Sequence, residues 1–187
     1  MSAFLFAMLA VFLTSIGGRD QLLIARLASR LGSNWALLVV ASMVAVGTAA
    51  AMALAGQYIA ALLPANGKNM LVAIALLLAA VELAWPIKPR PMKEPTRSLF
   101  PIALVLISRQ IGDGARFLVF AIAAGWATPL LAGAGGALGA IASVAMGWMM
   151  AENLERKLPL RMLRLALAFV IAVIAITTGL KARGLIA

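Results

Sequence analysis

The chain has 187 residues, of which 64% are hydrophobic and only 12% are charged, and its mean hydropathy is +1.05. Because so small a charged fraction cannot cover a water-exposed surface, this composition excludes an ordinary soluble domain and indicates an integral membrane protein. The chain contains no Cys and no His, which excludes disulfides, thiolate or imidazole catalysis and Cys/His zinc sites, and its formal net charge is +10.

Six apolar segments of 16 to 33 residues succeed one another along the chain, and a helix needs about 20 residues to cross a bilayer. They cover residues 3–31, 35–63, 70–85, 99–131, 133–150 and 160–180. A basic, proline-rich linker, residues 87–98, separates the third segment from the fourth. We therefore predict an all-α integral membrane protein with six transmembrane helices.

Two of these segments are interrupted by stretches that contain glycine and charged residues. The first segment is interrupted at Gly17-Gly18-Arg19-Asp20, and the fourth at Gly112-Asp113-Gly114. Charged side chains inside a bilayer are costly and mark functional positions or ion pairs. The two interruptions are therefore the predicted functional region.

Lys and Arg are distributed unevenly between the two predicted sides of the membrane. One side receives ten of them, namely Arg26, Arg30, Lys88, Arg90, Lys93, Arg97, Arg156, Lys157, Arg161 and Arg164. The other side receives Lys68, Lys181 and Arg183. Since cytoplasmic loops carry an excess of basic residues, we predict a multi-pass protein of the inner (plasma) membrane, with a cytoplasmic central linker and both termini outside. This topology explains the positive charge without a nucleic-acid partner, and the expected partner is the lipid bilayer.

A shift of the chain by 95 residues, without gaps, places its first half on its second half. The shift superposes Ile16-Gly17 on Ile111-Gly112 and Pro64 on Pro159. Because each half has three predicted crossings, the second half enters the membrane from the opposite side. We predict two inverted three-helix repeats, residues 1–86 and 99–187, joined by the linker. Inverted repeats with broken helices are typical of secondary transporters with a site near the bilayer midplane. A simple helical bundle without duplication is the alternative.

The two interrupted motifs resemble those of a known family of small cation transporters. They read Ser15-Ile16-Gly17-Gly18-Arg19-Asp20-Gln21 and Gln110-Ile111-Gly112-Asp113-Gly114-Ala115-Arg116. Their placement resembles uncharacterised protein family sixteen, which includes Golgi manganese/calcium transporters and bacterial manganese exporters. That family repeats the signature Glu-x-Gly-Asp-(Lys/Arg)-(Ser/Thr) in the first helix of each half.

The resemblance implies a divalent-cation/proton antiporter that carries Mn²⁺ or Ca²⁺, has no permanently bound cofactor and is not an enzyme. It places six residues at the ion site: the side chains of Asp113, Asp20, Gln110 and Ser15, and the freed carbonyls of Gly17 and Gly112. Asp113 and Asp20 would be the metal ligands, because hard divalent cations prefer anionic oxygens. The chain departs from the signature, since Ser15 and Gln110 replace the two Glu residues and Asp20 is displaced by two positions.

Three arginines near the interruptions support a second hypothesis. Arg109 and Arg116 lie four residues before and three residues after Asp113, a spacing that places all three on one face of a continuous helix. We expect Arg19, Arg109 and Arg116 to form intramembrane ion pairs with Asp113 or Asp20. On this alternative the chain is a degenerate, non-transporting or anion-handling family member, whose pairs are structural. An intramembrane aspartyl protease with an Asp20–Asp113 dyad is a third possibility.

Small residues recur at every fourth position in the second and fifth segments. One series is Gly47, Ala51 and Ala55, and the other is Gly135, Gly139, Ser143 and Gly147. This spacing favours close packing between helices, and a homo-oligomer is left open. Glu82, near the end of the third segment, is expected to snorkel to the membrane surface or pair with a loop.

Overall fold

The computed structural model describes residues 1–32, 34–87, 98–151, 153–154 and 159–186, and all regular secondary structure in these ranges is helical. The helices are α1 Ser2–Ser15, α2 Arg19–Leu31, α3 Trp35–Ala61, α4 Ala65–Ala84, α5 Leu99–Ile111, α6 Gly114–Trp126, α7 Pro129–Met150 and α8 Leu160–Ala182. The predicted linker lies outside the described residues except for its two ends, Ile87 and Ser98.

Four helices, α3, α4, α7 and α8, are long and apolar enough to cross a membrane. The α1–α2 pair passes the same test as a unit, although it is bent by 61° at the break between its helices. In contrast, α5 and α6 have 13 residues each, fewer than the roughly 20 that one crossing needs. By length and composition, four helices of the described chain could therefore cross a membrane, or five if the bent pair counts as one crossing. The sequence predicted six crossings.

The two helix breaks coincide with the two interrupted motifs. In the first break, α1 ends at Ser15, Gly17 adopts a left-handed conformation with φ of 72°, and Gly18 precedes α2. In the second break, α5 ends at Ile111 and Asp113 precedes α6. Only the first break requires a left-handed residue, which glycine adopts without the steric cost of a side chain.

The helices on either side of the breaks pack around a core of small side chains. α1 packs on α7, α3 packs on α6 and α7, and α4 packs on α6 and α8. The central cluster consists of Val11, Ala45, Ala53, Ala115, Val119, Ala123, Ala132 and Ala140. Because these side chains are short, the helix backbones lie close together around the breaks.

The series of small residues in α7 has the predicted packing role. A Cβ atom added at Gly135 or Gly139 would collide with the backbone carbonyl of Phe4 or Met8 in α1. The series predicted for α3 faces outward, since Gly47 is exposed and a Cβ added there meets nothing within 4 Å. The buried face of α3 is offset from it and includes Gly56, which packs on the backbone of α6.

Candidate functional site at the two helix breaks

The buried polar and charged side chains of the described residues concentrate around the two breaks. They are Thr14, Ser15, Asp20, Gln21, Thr48, Gln110, Asp113, Arg116, Ser143 and Arg164. The set includes all four side chains that were predicted to bind an ion. A buried polar group is costly unless it has a hydrogen-bond partner, so the partners of these residues define what the region can do.

One hydrogen-bond network joins the two breaks through Gln110. Its amide nitrogen donates to Asp20 Oδ2 over 3.0 Å. Its carbonyl oxygen accepts from Arg116 Nη2 and from the Thr48 hydroxyl, each over 2.8 Å. Arg116, which is fully buried, also donates from Nε to Thr48 over 2.8 Å. A carboxylate from α2, an amide from α5 and a guanidinium from α6 are thereby held together against α3.

A second network stabilises the first break. Gln21 in α2 accepts a hydrogen bond from the Gly17 backbone amide over 2.7 Å and donates one to the Ser143 carbonyl of α7 over 2.8 Å. Gln21 is 95 positions before Arg116, and Thr48 is 95 positions before Ser143. Residues that the sequence shift superposes therefore make comparable contacts, Gln21 with α7 and Arg116 with α3.

Glu82 in α4 lies in this region rather than in the predicted surface position. Its carboxylate accepts from Arg164 Nη2 over 3.2 Å and from the Gly114 backbone amide over 3.2 Å. It also lies 3.6 Å from Arg19 Nε. Glu82 thus connects α4 with the starts of α2, α6 and α8. Its signal in the sequence was a carboxylate within an otherwise apolar segment, which is rare without a functional or pairing role.

Arg164 also differs from its predicted position. It was counted among the basic residues on the cytoplasmic side, but its side chain is only 5% exposed and is held by Glu82. It is therefore a fourth arginine in the region of the breaks, besides Arg19, Arg109 and Arg116. Its pairing was not predictable, because Arg164 lies near the start of an apolar segment, where basic residues are usual.

Asp113 has a different environment from the one that the helix spacing predicted. It is 4% exposed, and its Oδ2 has no hydrogen-bond partner among the described residues. It lies within electrostatic range of Asp20, Glu82, Arg116 and Arg164. Within the described chain it forms no ion pair at contact distance with an arginine.

The break at Gly112 explains why the expected pairs of Asp113 do not form. Arg109 belongs to α5 and Arg116 to α6, so the continuous-helix spacing does not apply. Arg109 donates instead to the Arg19 backbone carbonyl over 2.9 Å. Arg116 is directed to Thr48 and Gln110. Among the described residues, Arg19 is the one predicted partner that contacts a carboxylate, that of Glu82.

The remaining predicted site residues fall into two groups. Ser15 and Gly17 are buried at the first break, whereas Gly112 is exposed at the second. In the described part of the chain, no backbone hydrogen bond outside the helices ends on the carbonyl of either glycine. Both carboxylate oxygens of Asp20 accept a hydrogen bond, Oδ2 from Gln110 and Oδ1 from the Gln21 backbone amide.

Several buried polar atoms in this region have no partner among the described residues. They are Ser15 Oγ, Asp113 Oδ2, Arg116 Nη1, Ser143 Oγ and Arg164 Nη1. Such atoms usually mark a place that binds water, an ion or another polar group. Within the same described ranges, no three Asp, Glu, His or Cys side chains are grouped so that they could hold a metal ion. The arrangement is thus polar and rich in charge, but it is not a carboxylate cage.

The chain matches no protein-family model, no curated protein and no solved structure.

Proposed function

We propose that this chain is a multi-pass membrane transporter with its site at the two helix breaks. In this proposal α1–α2 and α5–α6 are two broken crossings, and with α3, α4, α7 and α8 they make six. Two observations support an inverted duplication. α2 and α6 begin 95 positions apart and have 13 residues each, and the contacts of Gln21 and Arg116 with the opposite half are comparable. Broken crossings in matching positions are the usual frame of a secondary transporter site.

The observation that carries the proposal is the buried carboxylate of Asp113. Its Oδ2 lacks a partner in the described chain, and the nearby Arg116 is engaged by Thr48 and Gln110. A buried carboxylate oxygen without a hydrogen-bond partner gains free energy when it binds a cation or a proton. We assign to Asp113 the binding of the transported cation and of the proton exchanged for it. Mn²⁺ and Ca²⁺ are the first candidates, with Asp20 as the second carboxylate.

Transport into proteoliposomes tests this assignment. The full chain is reconstituted with a dye that reports internal Mn²⁺ or Ca²⁺, and a proton gradient is imposed in either direction. We expect gradient-dependent movement of at least one of the two ions, and a loss of at least tenfold in Asp113→Asn. Arg183→Gln, an exposed residue after α8, is the control and should keep the wild-type rate. Wild-type rates equal to those of empty liposomes for both ions, or an unaffected Asp113→Asn, would contradict the proposal.

A second candidate function, a structural lock without transport, is favoured by the Glu82–Arg164 pair. This pair joins α4 of the first half to α8 of the second half, and the Arg19 contact adds α2 of the first half. In that case the wild-type protein carries neither ion, and Asp113→Asn leaves the thermal stability unchanged because it breaks no ion pair. Abundance and melting temperature, measured on the same preparations, separate a lost activity from a lost fold.

A further inference from the structure

A cavity of about 360 Å³ lies beside the first break, between α2, the end of α4 and the start of α8. Of the described residues that line it, three are arginines, Arg26, Arg161 and Arg164, and none is Asp or Glu. The other lining residues are mainly apolar, among them Leu22 and Trp85. We call it the arginine cavity. Its composition combines positive charge with an apolar wall.

Arg164 is fixed at the wall of the arginine cavity. Its Nη2 is held by Glu82, its side chain is 5% exposed, and its Nη1 has no partner among the described residues. Glu82 also faces Arg19, so a single carboxylate serves two guanidinium groups. At the same wall, Arg161 adds an exposed guanidinium.

The helix geometry adds to the attraction for an anion. α8 begins at Leu160, directly at the cavity, and no side chain of the described residues caps its first turn. The amino-terminal end of a helix carries partial positive charge and free backbone amides, which favour phosphate and similar anions. Gly17 allows α8 to approach, since a Cβ there would lie 3.1 Å from the Cβ of Leu160. Guanidinium groups bind phosphate oxygens with a matching fork of donors.

We propose that the arginine cavity binds a phosphate group. The cavity lies where α4 ends and α8 begins, and in a membrane the ends of spanning helices are at the depth of lipid headgroups. Its apolar wall suits the glycerol and upper acyl portion of an anionic phospholipid, and free phosphate offers the same charged group. The cavity shares Gly17 and Arg164 with the region of the breaks, but its arginines favour an anion, whereas the cation is assigned to Asp113.

Thermal unfolding of the full chain in detergent tests the proposal. The probes are phosphatidylglycerol, diacylglycerol with the same acyl chains, and inorganic phosphate against chloride at equal ionic strength. We expect a higher melting temperature with phosphatidylglycerol than with diacylglycerol. A comparable rise with inorganic phosphate would identify free phosphate as sufficient, and its absence would identify the lipid as the source.

Two variants connect the stabilisation with the cavity. Arg161→Gln removes an exposed guanidinium that does not contact Glu82, and Arg164→Lys keeps a charge opposite Glu82 but loses the fork of donors. Each should lose at least half of the phosphate-dependent shift, while Arg183→Gln should keep all of it. Equal shifts with phosphatidylglycerol and diacylglycerol and no effect of phosphate, or full shifts in both cavity variants, would overturn the proposal.

Discussion

The side chain of Gln110 donates a hydrogen bond of 3.0 Å to the carboxylate of Asp20, ninety residues earlier in the chain. The same amide accepts from Arg116 and Thr48 through its oxygen. Only a group with both a donor and an acceptor can satisfy these partners together. The resemblance expects Glu at this position, and a carboxylate there would face Asp20 without a proton to donate. The replacement by Gln110 and the displaced Asp20 are therefore complementary.

Replacement of this amide by an apolar side chain should strongly destabilise the fold. Gln110→Met preserves the volume but removes the hydrogen-bond partner of Asp20 Oδ2 and of Arg116 Nη2. Because an unsatisfied buried polar group costs about 1–3 kcal/mol, and more when it is charged, we expect a loss of at least about 2 kcal/mol in the free energy of unfolding. Thermal unfolding in detergent measures it. Gln57→Met, on a less buried face of α3, should change little, and an equal loss in both would refute the role of the network.

The lengths and breaks of the helices were largely predictable, because they depend on local properties of the sequence. Residues 35–63 were predicted for the helix Trp35–Ala61, and residues 160–180 for Leu160–Ala182. Gly112 marked the second break correctly. The partners across the breaks were not predictable, since the contact between Asp20 and Gln110 depends on how distant helices pack, which hydropathy does not report.

The partners of the charged residues were also not predictable, because they too depend on contacts between distant helices. The spacing of Arg109, Asp113 and Arg116 implies a shared face only if one helix continues through Gly112, and the break removes that premise. Glu82 was assigned to the membrane surface because it lies near the end of its segment. Its actual partner, Arg164, follows 82 residues later.

The pair of Glu82 and Arg164 should contribute more to stability than a surface ion pair. Both side chains are less than 10% exposed, and removal of one partner leaves the other charge buried. Glu82→Gln should therefore cost about 3–5 kcal/mol in the free energy of unfolding. The double variant Glu82→Gln/Arg164→Gln should recover part of this loss, because it leaves no unpaired charge. Strictly additive losses in the double-mutant cycle would show that the two side chains are not coupled.

Substitution of Gly139 in α7 tests how closely α1 packs on α7. Gly47 in α3 is the control. At Gly139 a Cβ would meet the Met8 carbonyl and lie 3.0 Å from the Phe12 amide nitrogen, so Gly139→Ala must separate the helices. We expect a loss of about 1–3 kcal/mol, as is usual for overpacked cores. Gly47→Ala meets nothing within 4 Å, and it should be neutral or stabilising by up to about 1 kcal/mol through helix propensity. The melting temperatures of the two variants, each compared with that of the wild-type protein, test both expectations.

The two break glycines that the sequence shift superposes should respond differently to the same substitution. Gly17 has a φ of 72°, and a Cβ there would lie 3.1 Å from the Cβ of Leu160, so Gly17→Ala strains the backbone and pushes on α8. We expect a loss of about 1–2 kcal/mol from the left-handed conformation alone.

Gly112 has a φ of −98°, and a Cβ there meets nothing within 4 Å, so Gly112→Ala should leave the melting temperature unchanged. The comparison is informative because the shift of 95 residues superposes Gly17 on Gly112. A similar loss in both variants would mean that the second break also depends on glycine. A loss confined to Gly17→Ala would show that the first break alone requires the left-handed residue, with α8 packed directly against it.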